Sequence, residues 1–151
     1  MTRRAGVFAD DRGSAALEFI GVGVVLLVPL LYLILALGMI QQHTLGAEAA
    51  ARHAVRAMTQ APSATAAQQR AEAVLASVVA EYGLAADEVR VQVSCVPTGA
   101  RCPRPDAAVT VRVSTRVALP FIPEAFGLDQ YAAIPIEAQS TQQLARQWGP
   151  E

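Results

Sequence analysis

Residues 19–40 form a run of 22 positions without one charged side chain. At 1.5 Å per residue such a run makes a helix of ~33 Å, enough to cross the ~30 Å hydrocarbon core of a bilayer. A soluble fold would have to bury it on every side. The whole chain has only 151 residues, and a small domain lacks the surface to wrap a helix of that length. The run therefore reads as a membrane span. The sequence from Gln41 onward, about 110 residues, reads as one modest domain.

A secretory signal has a shorter apolar core, about 7–15 residues, followed by a small-residue cleavage site. Arg3-Arg4 has the look of a twin-arginine signal, but Asp10, Asp11 and the length of the run do not fit one. The flank before the span carries Arg3, Arg4 and Arg12, whereas the first cation after it is Arg52. The positive-inside rule then puts the N-terminus in the cytoplasm and the domain outside. There cysteines tend to be oxidised. A Cys95–Cys102 disulfide is expected, closing a loop through Pro97, Thr98 and Gly99. The competing reading is two small apolar residues with free thiols.

Residues 14–60 read as one long helix, ~70 Å if straight. Its first part is the span, locally bent at Pro29. The part beyond Gln41 is rich in Ala, Gln, Glu and Arg, and Pro62 and Ser63 end the pattern. A second helix is predicted over about 65–82, where Ala67, Ala71, Val74, Leu75, Val78 and Val79 recur at helical spacing. Gly83 suits its C-cap. Beyond Asp87 the period changes to two. Val89, Val91, Val93 and Cys95 form one alternating set, and Val109, Val111, Val113 and Val117 a second. A third run over 131–141 holds Ile134, Ile136 and Ala138. The expected fold class is α+β: a long N-terminal transmembrane helix, with a second helix packed on an antiparallel sheet of about three strands. Either helix could cover the sheet. Residues 119–128, with Pro120, Phe121, Pro123 and Phe126, read as an apolar loop that packs on the domain or meets a partner.

Glu18 is a lone carboxylate at the edge of the span. An ionised side chain at a helix centre costs about 2.5–3.5 kcal/mol on insertion scales, and less near an interface. No Lys or Arg follows it at i+3 or i+4. One reading is that Glu18 snorkels to the cytoplasmic interface. The sharper one uses Gly13. A cut between Gly13 and Ser14 would give Ser14 a free, protonated amine, one helical turn from Glu18. Within a chain the pair offsets much of the cost of the charge. Between chains, Glu18 of one subunit meets the Ser14 amine of another and sets a fixed stagger, while apolar packing supplies the cohesion.

The segment Gly13-Ser14-Ala15-Ala16-Leu17-Glu18-Phe19 before a long apolar run resembles the type III signal of type IV pilins. With Arg12 before it and Val28-Pro29-Leu30-Leu31 within the span, it is similar to the TadE-like pseudopilins of Flp, or tight-adherence, pili. The resemblance implies a leader over 1–13, a long helix over 14–61 with its span at 19–40, and an extracytoplasmic domain over 62–151. It implies cleavage at Gly13–Ser14 by a prepilin peptidase, and assembly through Glu18 and Phe19. It further implies a minor or initiating subunit that meets other pilins, pseudopilins and the assembly platform.

Other function classes find little support. The net charge of −1, with no basic block, speaks against nucleic acid as a partner. Cys95 and Cys102 have no matching Cys or His pair at zinc spacing, so no metal or cofactor is expected. No nucleophile motif or phosphate loop points to an enzyme, and no catalytic residue is expected. His43 and His53, nearly 80° apart on the long helix, read as exposed or headgroup-level residues. Glu48 and Arg52 are an i, i+4 pair. The alternative to a pilus subunit is an uncleaved, anchored extracytoplasmic domain that binds a partner.

Overall fold

The computed structural model describes residues 14–98, 102–120 and 133–148, with side chains from Leu17. The chain contains α1 (Ser14–Thr59), α2 (Ala64–Tyr82), β1 (Arg90–Val96), β2 (Ala108–Ala118) and β3 (Ala133–Gln143). It divides into two compact units, Met1–Ala36 and Leu37–Glu151. The expected α+β class is observed: a long apolar helix, a second helix and a three-stranded antiparallel sheet.

α1 runs through Pro29 without a break, and it is long and apolar enough to cross a membrane. Beyond Leu37 its character changes. Ala47, Ala50, Ala51, Ala54 and Val55 are wholly buried, and Met58 nearly so. These positions recur at i, i+3, i+4 and i+7, so they form one stripe. Alanine brings little apolar area but lets helix backbones come close. One close approach is at Gly46, where a Cβ would stand 2.9 Å from Tyr82 Cβ on α2. Gln42 reinforces that crossing by donating to the Tyr82 carbonyl at 3.0 Å.

α2 is bounded by local chemistry. Ser63 at its N-cap is extended (φ −151°, ψ 164°), and its Oγ accepts from the Ala66 N–H at 3.2 Å. This satisfies one of the free donors of the first turn. At the other end Gly83 takes the left-handed conformation (φ 64°), and the next N–H, that of Leu84, donates to the Val79 carbonyl at 2.9 Å. Glycine adopts that conformation without the Cβ clash. Ala67, Ala71 and Val78 are the buried residues of α2, with Val74 and Leu75 half-buried beside them.

The sheet has the order β1-β2-β3, each strand pairing with its sequence neighbour. β2 is central. Val109, Val111, Val113 and Val117 are wholly buried on its inner face, while Arg112 and Arg116 stand exposed on the other. Both helices contribute to the core that covers this face. On β3, Ile136 is buried and Ala138 packs against the same core. β1 departs from its sequence pattern. Val91 and Val93 alternate as a covered face should, yet they are 38% and 43% exposed, and only Cys95 is buried. β1 is an edge strand, and the helices centre on β2. Between α2 and β1 an open cleft of about 680 Å³ remains, lined by Met58, Leu75, Val91, Val93 and Pro103 among others. Most of the apolar stretch 119–128, and Tyr131, lie outside the described residues.

The Gly46 crossing can be tested directly. Gly46→Val places branched carbons against Tyr82, and such overpacking costs about 1–3 kcal/mol, more than the few tenths gained in helix propensity. Denaturant unfolding of the detergent-solubilised chain should show that loss. Gly38→Ala, which meets nothing within 4 Å, should not.

Candidate functional site

The N-terminal unit exposes its apolar residues on every side of the helix. Leu17, Phe19, Val25 and Leu26 are each 65–80% exposed, and the other leucines, valines and isoleucines through Leu35 remain more than 40% exposed. Isolated apolar residues on a surface need no partner, but a continuous patch much above a few hundred Å² does. Among the described residues nothing covers these large side chains. Lipid or other apolar helices are the environments that suit it.

The candidate site residues lie at the start of this helix. Ser14 is its first described residue, and Gly13 lies outside the described residues. Glu18 follows Ser14 by four positions in unbroken α-helix, so the two share one face, one turn apart. The Glu18 side chain is exposed, and no described basic group stands within ion-pair distance of it. Phe19, the neighbouring aromatic, is 80% exposed. Both side chains are therefore available to a partner outside the chain.

Cys95 and Cys102 are joined in a disulfide, with Cα atoms 5.8 Å apart. Cys95 ends the buried face of β1, and Cys102 opens the return to β2. Arg104 donates to the Pro97 carbonyl across the same loop. Asp106 then turns the chain with φ 58°, a conformation that aspartate tolerates better than most residues. The bridge pins the turn that leads into the central strand.

The histidines part company. His53 is exposed, whereas His43 is half-buried and its Nδ1 is shielded, without a hydrogen-bond partner among the described residues. Among the described residues there is no group of three His, Cys, Asp or Glu placed to hold a metal ion. The described ion pairs are Glu48–Arg52 at 3.9 Å, on α1, and Arg112–Glu137 at 2.9 Å, across β2 and β3. Both are about half exposed, where such pairs contribute little.

Several features escape sequence reading. Thr115 is 3% exposed on the inner face of β2, amid valines, and its Oγ1 has no described partner. The alternation of β2 signals its inward position, but its polarity hides it. Trp148 packs half-buried on the core with Nε1 likewise shielded, and it has no periodic neighbour to announce it. Gly46 looks like one more small residue until α2 is seen against it.

Comparison with known proteins finds no matching family model, no matching curated protein and no matching solved structure.

The disulfide closes a short loop, and the chain-entropy model assigns such a loop about 2–3 kcal/mol. The double substitution Cys95→Ser, Cys102→Ser should lower unfolding stability by that order. Intact mass before and after reduction should differ by two hydrogens in the unsubstituted chain only.

Proposed function

We propose that this chain is a pseudopilin, a minor or initiating subunit of a tight-adherence-type pilus, anchored by α1 and cut by a prepilin peptidase between Gly13 and Ser14. The observation that carries this reading is the start of α1. Glu18 stands one turn from Ser14 at the head of an apolar helix whose large aliphatic side chains through Leu35 are exposed among the described residues.

After cleavage the Ser14 amine is positive. In the membrane it lies beside Glu18 of its own chain and offsets the cost of that carboxylate. On assembly Glu18 turns to the amine of a neighbouring pilin or pseudopilin, and the apolar faces of the helices close on one another. The ion pair gives register and the packing gives cohesion. The arginines before the span keep the leader in the cytoplasm, where the peptidase and the assembly platform would meet it. The Cys95–Cys102 bridge supports an oxidising, extracytoplasmic setting for the domain. No step requires a cofactor or a catalytic residue of this chain.

N-terminal sequencing of the protein from native membranes tests the reading. A mature chain beginning at Ser14, only where the host's prepilin peptidase is present, is the expected result. Gly13→Arg should leave uncut precursor in the membrane. Glu18→Ala should be cut and inserted normally yet fail to enter filaments, since removing one partner of a buried pair costs about 3–5 kcal/mol. A chain that keeps residues 1–13 with and without the peptidase would instead be an uncleaved anchored domain.

A further inference from the structure

The two outer strands of the sheet differ in how their free sides are guarded. β3 carries Pro135 and Glu137 within its length, residue types with which natural sheets keep an edge from pairing. It also has α1 beside it. Thr59 Oγ1 donates to Gln142 Oε1 at 2.9 Å, and Glu48 and Arg52 share a shallow cleft with Glu137 and Gln139. β1 has neither protection. Its seven residues include no proline and a single charge, Arg90, at the first position. β2 pairs with one side of β1, and among the described residues no backbone group pairs with the other. Alternate N–H and C=O groups of β1 therefore point outward unpaired. Along the same strand Val91, Val93 and Val96 are 38%, 43% and 65% exposed. A row of backbone donors and acceptors beside uncovered valines is what another β-strand satisfies. Lipid or a small apolar ligand would cover the valines and leave the backbone groups without partners.

We infer that β1 pairs antiparallel with β1 of a second copy of this chain, joining two three-stranded sheets into one across a two-fold axis at Val93. The inference rests on the domain alone and not on the pilus reading. Antiparallel pairing of all seven residues of Arg90–Val96 admits one register, with Val93 opposite Val93 of the second copy. Val91 then faces Cys95 of the second copy, Gln92 faces Ser94, and Arg90 faces Val96. Inward residues meet inward residues, as the two-residue period requires. Val91 and Val93 of both copies close together at the mouth of the cleft beside Leu75. On the outer face the aliphatic stem of Arg90 covers the second copy's Val96, and Gln92 meets Ser94 as a hydrogen-bonding pair. No two like charges stand opposite one another in this register. The ends are complementary in charge. Val89 falls opposite Pro97 of the second copy, so the exposed Glu88 reaches the place where Arg104 is held by donating to the Pro97 carbonyl. Neither Glu88 nor Arg104 has an ion-pair partner among the described residues of its own chain. The two-fold axis makes this contact twice. Each copy spends its unguarded edge on the other, so the assembly closes at two.

The test is sedimentation velocity of the full chain in density-matched detergent over a range of protein concentrations. The unsubstituted chain should pass from one copy to two as concentration rises, since a seven-residue strand pair is a small, reversible interface. Val93→Glu sets two carboxylates face to face on the axis and should weaken the association roughly tenfold. Val93→Lys should do the same with two ammonium groups. Mixed in equal amounts, the two variants should pair again, because a carboxylate then faces an ammonium. That restoration separates lost pairing from a misfolded domain. An unsubstituted chain that stays single at every concentration overturns the inference. So does a mixture of the variants that fails to pair. Variants that each associate as well as the unsubstituted chain also overturn it, and assign the association to another surface.

Discussion

Alanine brings two backbones together and offers little apolar area in return. The seam of Ala47, Ala50, Ala51 and Ala54 therefore works only because large side chains meet it from the other side. The valines of β2 supply them, each burying a side chain worth about 1.5–3 kcal/mol as an upper estimate. Tyr82 supplies the close contact at Gly46. The remaining features of the domain follow from this asymmetry. A central strand of branched residues faces a smooth helix, the core centres on β2, and the first strand is left at the margin with its valines half uncovered.

One helix thus lives in two environments. From Leu17 to Leu35 its large aliphatic side chains and Phe19 stand exposed, and from Ala47 the helix is sealed on one side. The sequence of each part suits its surroundings. Leucine, valine and isoleucine crowd the first, and alanine with charged residues on the free face marks the second. The Glu48–Arg52 pair lies on that free face and adds little stability.

The period of the sequence made most elements legible. Alternation located β2 and β3 to within about two residues, the usual fuzziness of element ends. Pro62, Ser63 and Gly83 bounded α2 because capping is local chemistry. What stayed hidden depended on neighbours distant in sequence. Val91 and Val93 alternate as faithfully as Val111 and Val113, but exposure is decided by strand order and by where the helices lie. Gly46 and Thr115 owe their roles to contacts that no local pattern encodes. At the site, Glu18 was visible because a charge beside an uncharged run is conspicuous. The Cys95–Cys102 pairing was readable because only two cysteines exist.

The Thr59–Gln142 contact and the alanine seam have a mechanical consequence. Within the domain, α1 lies alongside β3 rather than across its end. A pull applied along this part of α1 is felt by the sheet as sliding, and every contact of the seam resists together. A helix held at one tip would peel away contact by contact under far less force. Side-on attachment makes the domain resistant to a pull along the axis of this part of the helix, whatever does the pulling.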